Sequence, residues 1–575
     1  MCDVQYGGVM SSEYDAIVIG TGAGGGTLAL GLARAGKKIL ILERGDFLPQ
    51  EKLNWDTSAV FIDNRYHTRE TWRNKDGGDL HPQQVYCVGG QTKVYGAAMF
   101  RMRAEDFGVI QHQGGISPAW PISYADMEPY YTRAEELFEV HGDLGAATRE
   151  VEGGFGSQFD PTEPFHSKKY PFPALPNEAH MQAIEDAVRG IGIHTFPMPL
   201  GLKRNDADPA ASKCVRCDTC DGYPCLVHAK SDADINCVRE IMHLPNVTLM
   251  TNSRVTRLIT NGTGTAVTSV EVIHADSELG ATYTADLFAV CAGAVNSAVI
   301  LLASANDKHP NGLANGSDQV GRNFMYHQAD ALLALTTQRN VDSYTKTWGT
   351  NDFYLNDSDE SYPFPLGQVQ PVGSFHFEMM KGDAPFFTPD FVLEGMKHYA
   401  VPWWLTTEDL PDPNNRVTLH NTTPLSVKDA YPGVAGAHPS GDTGTVNEST
   451  FVTNAAPGRI QLSYTPNNVK SFERLKDRWV EVLKKAGHAT TSVPLHAYFK
   501  KRIPIEGVGH QNGTCRMGTD PATSVLDVHC KAHELDNLYV VDASFFVSAS
   551  AVNPSLTIIA NAIRVAEHLL IERLK

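Results

Sequence analysis

The chain has 575 residues, of which 42% are hydrophobic and 20% are charged, and its formal net charge is −18. This length suits two closely joined domains, and the composition is that of a globular protein and excludes a disordered or fibrous one. The negative charge argues against a nucleic-acid partner, because a phosphate backbone would be repelled by such a protein.

No segment of the chain has the pattern of an export signal or of a membrane span. Residues 1–14 lack a basic start and an apolar core. The longest apolar stretch, residues 290–303, is shorter than the roughly 18 to 20 residues that a membrane span needs. We therefore predict a cytoplasmic protein with no membrane partner, whose ten cysteines are mostly reduced.

The first predicted elements are a strand, a glycine-rich turn and a helix. Residues 14–19 are a short β-branched run that leads directly into the turn. Gly20 permits the tight turn, Gly22 lets backbone amides approach a pyrophosphate, and Gly25 lets the helix pack on the strand. A second strand, residues 38–42, ends at Glu43, where a ribose-binding carboxylate is expected. The order of these elements predicts a dinucleotide-binding fold.

The glycine turn does not by itself separate FAD from NAD, but its position at the start of a long chain is more typical of flavoproteins. A second glycine turn at residues 89–92 contains Gly90 and Thr92. Such a turn would bring backbone close to the flavin ring or the diphosphate. A purely structural loop is the alternative interpretation.

Four cysteines lie close together in the sequence, at Cys214, Cys217, Cys220 and Cys225. Their gaps of two, two and four residues resemble the ferredoxin spacing of two, two and three, but the last gap is one residue too long. Proline precedes the last cysteine instead of following it. An iron–sulfur outlet and a structural zinc are alternatives; we favour cysteines that are reduced or locally bridged, and we predict no metal.

The chain returns to the nucleotide-binding fold in its middle and at its end. A strand pair is predicted at residues 246–258 and a further strand at 287–292, and a buried strand at 538–542 ends in Asp542. Asn553 and a proline then open an apolar-periodic helix. We predict an α/β fold with a Rossmann-like FAD-binding domain built from residues 10–105, 204–325 and 505–575.

The remaining segments, residues 106–203 and 326–504, are assigned to a substrate-binding domain. Runs at 331–336 and 418–462 are predicted as strands of a sheet. Residues 339–372 are polar with little periodicity, so they are either an active-site lid or a plain surface insertion. Aromatic side chains are candidates for stacking on a sugar, although core packing is the commoner role of such residues. These candidates are Phe386, Phe387, Tyr399, Trp403 and Trp404.

A histidine in a glycine-rich turn shortly before the last strand, His510, is the candidate catalytic base. Alcohol oxidation by hydride transfer needs a group that accepts the hydroxyl proton, and a histidine with a reference pKa of about 6.5 is suited to this. Asn553 is placed to donate a hydrogen bond to the same oxygen. A structural imidazole bonded to backbone is the alternative role for His510.

Four motifs in combination resemble the glucose-methanol-choline (GMC) oxidoreductase family, and the match runs from one end of the chain to the other. They are Gly-Thr-Gly-Ala-Gly-Gly at residues 20–25, Glu-Asp-Leu-Pro-Asp-Pro-Asn-Asn-Arg-Val at 408–417, His-Gln-Asn-Gly-Thr-Cys-Arg-Met-Gly at 510–518 and Asn-Pro-Ser-Leu-Thr at 553–557. The resemblance implies a GMC fold, whose antiparallel sheet roofs the flavin. It also implies His510 as the base and Asn553 as its partner, and it places Val255, Ala292 and Asp542 around FAD. Ser555, at the start of the last helix, is a further candidate for binding the cofactor.

Within the family, asparagine at position 553 and residues 213–230 resemble bacterial pyranose 2-oxidases and C-glycoside 3-oxidases. Fungal pyranose oxidases attach FAD covalently to a histidine in the loop that corresponds to residues 89–95. Val94 stands at the matching position here. We therefore predict non-covalent FAD.

The predicted reaction oxidises a C2 or C3 ring hydroxyl of a pyranose sugar or glycoside to a keto-sugar, with His510 as base and hydride passing to flavin N5. Oxygen, giving H2O2, or a quinone-type acceptor then reoxidises the flavin. A sugar or polyol dehydrogenase subunit linked to a quinone or cytochrome is the alternative enzyme, and a non-catalytic flavin protein is a third interpretation. The sequence leaves open the sugar, the choice between C2 and C3, the acceptor, the oligomeric state and the role of the four cysteines.

Overall fold

The computed structural model describes most of the chain. The described residues are 12–68, 70–146, 149–151, 154–275, 280–336, 338–357, 359–373, 376–378, 381, 388–419, 460–488, 491–494 and 507–575. Phe386, Phe387 and most of the strand predicted at 418–462 lie outside these residues.

Eleven strands build the two sheets that hold the site. They are β1 (Tyr14–Ile19), β2 (Ile39–Leu42), β3 (Val247–Met250), β4 (Ser253–Thr260), β5 (Val267–His274), β6 (Ala281–Val290), β7 (Gln328–Leu335), β8 (Gln368–Pro371), β9 (Ala400–Thr407), β10 (Thr491–Pro494) and β11 (Leu538–Val540). The helices are α1 (Ala23–Arg34), α2 (Tyr124–Leu137), α3 (Ala179–Gly190), α4 (Arg239–Ile241), α5 (Ala294–Ala303), α6 (Asp390–Tyr399), α7 (Val469–Lys485) and α8 (Ser555–Glu572).

The first sheet has seven strands in the order β3-β2-β1-β6-β5-β4, with β11 paired to β6. The pairs of β1 with β2 and with β6, of β2 with β3, and of β6 with β11 are parallel. Strand β2 and residues 16–19 of β1 are continuous apolar runs, which is typical of parallel strands covered on both faces. The end of the chain therefore completes a sheet that its beginning starts.

The second sheet is antiparallel, with the order β8-β9-β7-β10. Helix α7 packs against β9 and β7. Trp348, Trp403 and Trp479 meet in the core behind this sheet, with ring centroids 4.8 to 6.4 Å apart. The predicted fold class, an α/β nucleotide-binding part with a second antiparallel sheet, is confirmed.

Further short strands form smaller sheets and strand pairs. One small sheet contains Val140–Gly142, Phe172–Pro173 and Leu200–Gly201, and another contains Trp72–Asn74, Asp79–Leu80, Arg416–Leu419 and Ile460–Ser463. Two-stranded pairs join Ile110–His112 to Gly115–Ser117, Arg149–Val151 to Gly154–Gly156, Phe196–Pro197 to Trp348–Gly349 and Met325–Tyr326 to Gln511–Asn512.

Residues 339–372, the predicted lid or surface insertion, contribute both to the core and to the second sheet. They contain β8, and Trp348 and Leu366 within them are buried. Whether any part of the segment opens and closes remains a prediction, as do the domain boundaries.

Helices α1 and α8 pack closely against each other on the first sheet. A Cβ atom added at Gly31 of α1 would lie 2.8 Å from the Cβ atom of Ala566 in α8. This distance is too short for two carbon atoms, so the two helices approach through a glycine.

We predict that Gly31→Ala destabilises the protein by about 1 to 3 kcal/mol, because the added methyl group overpacks the contact between α1 and α8. Thermal unfolding followed by circular dichroism measures the effect. Adding Ala566→Gly should recover part of the loss, since the two sites are in contact. Gly395→Ala in α6 is the control, because a Cβ there meets open space; an equal loss in this control would contradict the prediction.

Candidate active site

A cavity of about 820 Å³ lies between the carboxyl ends of β1 and β11 and the face of the second sheet. Nearly all the residues predicted from the sequence to form the site line it. They are Gly20, Gly22, Glu43, Gly90, Thr92, Val255, Ala292, His510, Asp542, Asn553 and Ser555. The exception is Gly25, which instead packs against the turn, where an added Cβ would lie 2.1 Å from the carbonyl oxygen of Gly20.

The two glycine turns meet at one edge of the cavity. The amide of Gly89 donates to Oγ1 of Thr21 at 3.1 Å, which ties the second turn to the first. A Cβ at Gly90 would lie 3.1 Å from Cα of Gly22, so the turns touch through their backbones. At Gly22 an added Cβ would meet no protein atom within 4 Å. The first turn thus leaves open space on its cavity side.

Two buried carboxylates, Glu43 and Asp542, border the same part of the cavity. Glu43 accepts hydrogen bonds from the amides of Thr21 at 3.0 Å and Gly45 at 2.9 Å. Asp542 accepts from the amides of Gly293 at 2.9 Å and Ser544 at 2.8 Å. Burial raises the pKa of both carboxyl groups, while these N–H donors act in the opposite direction. Each carboxylate holds together the loops around it.

His510 and Asn553 lie side by side on the cavity wall. Nε2 of His510 is 3.3 Å from Nδ2 of Asn553, which precedes helix α8. Burial, the neighbouring His327 and the positive charge of Lys346 together hold the pKa of His510 well below its usual value. The imidazole is therefore neutral near neutral pH, with one ring nitrogen able to accept a proton.

A glutamine of the second sheet orients the Asn553 amide. Nε2 of Gln370 donates to Oδ1 of Asn553 at 3.0 Å. Because Oδ1 accepts this bond, the amide nitrogen of Asn553 is the atom that faces His510. The other end of Gln370, Oε1, is buried and has no hydrogen-bond partner among the described residues.

An ion pair forms another part of the wall. Nζ of Lys346 is 2.7 Å from one carboxylate oxygen of Asp221, and the other oxygen accepts from the amide of Gly373 at 2.7 Å. Both charged side chains line the cavity. A Cβ at Gly96 would lie 1.8 Å from Oδ1 of Asp221, so the ion pair packs directly on the backbone at this glycine.

The imidazole of His327 stands behind His510, away from Asn553. The two Nδ1 atoms are 3.0 Å apart, and the rings meet edge to face with centroids 4.9 Å apart. The backbone sets this contact. Met325–Tyr326 pairs with Gln511–Asn512, so His327, which follows the first strand, lies beside His510, which precedes the second.

Sequence reasoning missed His327, Gln370, Lys346 and Asp221. His327 is one of 22 histidines and carries no motif of its own. Gln370 and Lys346 fall in the segment interpreted as a lid or insertion, and Asp221 lies between the cysteines that drew attention instead. Only the folded arrangement brings these side chains together.

The aromatic side chains that were candidates for stacking on a sugar lie in different environments. Trp404 lines the cavity, whereas its neighbour Trp403 is buried in the core behind the sheet. Tyr399 is 42% exposed at the end of α6. Val94, the residue at the position of the covalent histidine, lines the cavity and is buried.

The cysteines at 214, 217, 220 and 225 are free. Burial raises the pKa of the Cys220 thiol to about 12, so it is protonated near neutral pH. Within the described residues, no group of three or more His, Cys, Asp and Glu side chains is arranged to hold a metal ion. In the same part of the chain, no helix combines the length and the apolar character that crossing a membrane requires.

Comparison with known proteins places this fold and site in a family. Two family models described as GMC oxidoreductase match the chain, the N-terminal one over residues 14–329 and the C-terminal one over residues 451–562. Paromamine 6'-oxidase of Streptomyces fradiae is 29% identical, over 96% of this chain and 91% of its own length. The 6'''-hydroxyparomomycin C oxidase of Streptomyces lividus is 27% identical, over 98% of this chain and 94% of its own.

Among solved structures, pyridoxine 4-oxidase of Mesorbium loti has a similar fold, with a TM-score of 0.61 and 19% identity over 98% of this chain and 100% of that one. The family models together cover most of the sequence, including the glycine turn, the histidine-containing motif at residues 510–518 and the start of α8. The chain therefore belongs to the GMC oxidoreductase family and is an FAD flavoenzyme that acts on CH–OH donors.

Proposed function

We propose that this enzyme oxidises a secondary ring hydroxyl, at C2 or C3, of a pyranose sugar or glycoside to the keto-sugar. The observation that carries the proposal is the pair formed by His510 and Asn553 on the cavity wall, with His510 Nε2 and Asn553 Nδ2 separated by 3.3 Å. One of these atoms can accept a proton and the other can donate a hydrogen bond, which are the two contacts that an alcohol oxygen needs as it becomes a carbonyl.

The residues around the cavity fit FAD. The open space at Gly22, next to the N-terminus of α1, suits a pyrophosphate, which backbone amides and the helix dipole would stabilise. Glu43 would bind the ribose, and Gly90, Thr92, Val255, Ala292, Asp542 and Ser555 would surround the rest of the cofactor. When bound, FAD supplies the acceptor for the hydride of the alcohol.

His510 would act as the base. Its imidazole is neutral near neutral pH because burial, His327 and Lys346 lower its pKa. The hydroxyl proton would pass to Nε2 of His510 as the hydride leaves the carbinol carbon, so that the C–O bond becomes a C=O bond. The Asn553 amide, oriented by Gln370, would donate to the same oxygen and hold the carbinol in place.

The rest of the wall supports a sugar as substrate. Trp404 offers an apolar ring face for a pyranose. The Lys346–Asp221 pair can donate to and accept from further hydroxyls at its edge.

The charges at the wall favour a neutral sugar over an amino sugar. Among the described residues that line the cavity, the carboxylates are Glu43, Asp221 and Asp542. Each of them already accepts hydrogen bonds from the protein on both of its oxygens. A substrate ammonium group would therefore have to share carboxylates that already have partners in the protein, and beside Asp221 it would also meet the positive charge of Lys346; burying it with incomplete pairing would be costly.

A second candidate is the primary hydroxyl at C6 of an amino sugar. The similarity to paromamine 6'-oxidase, at 29% identity over 96% of this chain, favours it. For the acceptor we propose oxygen, since both relatives compared above are named as oxidases. A quinone-type acceptor is the alternative, and oxygen consumption measured against reduction of a quinone would separate the two.

We predict that glucose or a neutral glycoside bleaches the flavin under anaerobic conditions, and that an amino sugar such as paromamine does so at least tenfold more slowly at equal concentration. Stopped-flow absorbance measures the rate, and NMR of the product shows whether C2, C3 or C6 carries the carbonyl. His510→Ala should retain FAD and lose reduction by about 10²- to 10⁴-fold, the usual contribution of a general base. Faster oxidation of the amino sugar at C6 would replace the first candidate by the second.

We predict that Gly22→Val lowers the FAD content of the purified protein several-fold, because the new side chain occupies the space proposed for the pyrophosphate. The ratio of flavin to protein absorbance measures this content. Gly262→Val is the matched control, since a Cβ at Gly262 also meets open space but lies away from the cavity. Equal FAD content in both variants would contradict the proposed binding mode.

We predict that acid precipitation releases the flavin into the supernatant, because Val94 offers no atom for a covalent bond to FAD. Absorbance of the supernatant and of the washed, redissolved pellet measures the partition. Yellow colour that stays with the pellet would show that a covalent link exists elsewhere.

A further inference from the structure

We propose that His327 is a positioning residue that fixes the tautomer of His510, so that the proton-accepting nitrogen of His510 faces the cavity. This inference rests on the proposed role of His510 as the base. It concerns a residue that contacts neither the substrate cavity nor the flavin side of the site, since His327 is fully buried behind His510.

A backbone carbonyl fixes the tautomer of His327. Nε2 of His327 lies 3.3 Å from the carbonyl oxygen of Ala549. A carbonyl oxygen can only accept, so Nε2 of His327 must carry the hydrogen. In a neutral imidazole the other nitrogen carries no hydrogen, so Nδ1 of His327 has a lone pair and is an acceptor.

The tautomer of His327 in turn fixes the tautomer of His510. Its Nδ1 is 3.0 Å from Nδ1 of His327, so this nitrogen must carry a hydrogen and donate. Nε2 of His510 is consequently unprotonated, and it is the nitrogen that faces Asn553 and the cavity. The opposite tautomer of His510 would bring two lone pairs together at 3.0 Å and would point a hydrogen at the incoming hydroxyl.

This chain of hydrogen bonds requires His327 to be neutral. Burial lowers the pKa of His327 to about 4, which outweighs the hydrogen bond to Ala549, the charge of Glu408 and a backbone contact with Ser550, all of which favour protonation. Lys346 faces His510 and disfavours a positive charge there as well. Both imidazoles are thus neutral near neutral pH, and the single hydrogen on each is placed by its neighbour.

The carbonyl that starts the chain is held firmly. The amide of Ser550 donates to Glu408 at 3.1 Å, and the amide of Ala551 donates to the hydroxyl of Tyr354 at 3.1 Å. Glu408 itself accepts from Ser117 at 2.8 Å. Since Ala549 directly precedes these residues, its carbonyl cannot turn away from His327 without breaking buried hydrogen bonds.

A role in the reaction follows. When Nε2 of His510 takes the hydroxyl proton, the ring becomes an imidazolium whose Nδ1–H already points at the lone pair of His327. The hydrogen bond becomes charge-assisted and therefore stronger, without any atom having to reorient. His327 stabilises the protonated base while leaving the binding of substrate to other residues.

Two substitutions separate this role from simple packing. In His327→Asn, the side-chain oxygen can take the place of Nδ1 and accept from His510. In His327→Gln, the amide nitrogen can take the place of Nε2 and donate to Ala549, but the acceptor toward His510 is lost. We expect His327→Gln to slow anaerobic flavin reduction by about 10- to 100-fold, less than the roughly 10⁴-fold loss known when an ionised tautomer-fixing carboxylate is removed. His327→Asn should stay within a few-fold of the wild type.

The effect should fall on kcat and leave KM nearly unchanged, because His327 does not touch the cavity. FAD content and thermal unfolding of both variants serve as controls for the fold. Equal rates in the two variants and the wild type, with His510→Ala inactive, would overturn the proposed role of His327 and leave the proposed function intact. Normal reduction in His510→Ala would instead overturn the proposed function.

A direct measurement on the wild type keeps the inference testable even if both variants fail to fold. Nitrogen-15 labelling of histidine gives distinct NMR signals for protonated and unprotonated ring nitrogens, and His510→Ala identifies the signals of His510. We expect hydrogen on Nδ1 of His510 near neutral pH. Hydrogen on Nε2 would overturn the inference.

Discussion

The structure depends on how closely three stretches of backbone approach one another at the start of α1. A Cβ at Gly20 would lie 2.4 Å from the carbonyl oxygen of Cys291, and one at Gly24 would lie 1.9 Å from that of Val541. These carbonyls follow the ends of β6 and β11. Only residues without side-chain atoms allow this contact. It joins the beginning, the middle and the end of the chain and so positions everything around the cavity.

The candidate active-site residues are positioned by these backbone contacts. Asp542 follows β11, and the segment that leads from it to Asn553 passes Ala549, the carbonyl bonded to His327. His510 is held from the other side by the short strand pair of Met325–Tyr326 with Gln511–Asn512. Sites built on paired strands and helix ends are rigid, which favours groups that must act at fixed distances. The second sheet then closes the cavity with Gln370 and Trp404.

Much of the nucleotide-binding part could be predicted from the sequence, because its elements carry local patterns. Strand β1 has the predicted bounds, since a β-branched run meets a glycine turn on one side. The turn, Glu43, His510 and Asn553 all lie on one cavity, although up to about 500 residues separate them in the sequence. The turn can be recognised because its backbone geometry requires glycines, and His510 and Asn553 can be recognised because they stand in motifs of the family.

The substrate side was harder to predict, because its contacts are set by tertiary structure alone. Trp403 and Trp404 were equal candidates for sugar stacking, yet successive residues of a strand face opposite sides. Because both belong to β9, one lies in the core and the other at the cavity. His327, Gln370 and Lys346 have no local signal, since each matters only through its partner in space.

The contribution of β11 to the first sheet has a consequence for how the enzyme is made. A ribosome releases the N-terminal glycine turn long before it has synthesised β11 and α8, and folding proceeds as the chain emerges. Until then the turn at Gly24 lacks the carbonyl of Val541 against which it packs. The first sheet therefore stays incomplete until β11 has been synthesised. We therefore expect FAD to bind after β11 and α8 have been synthesised, and not to the growing chain.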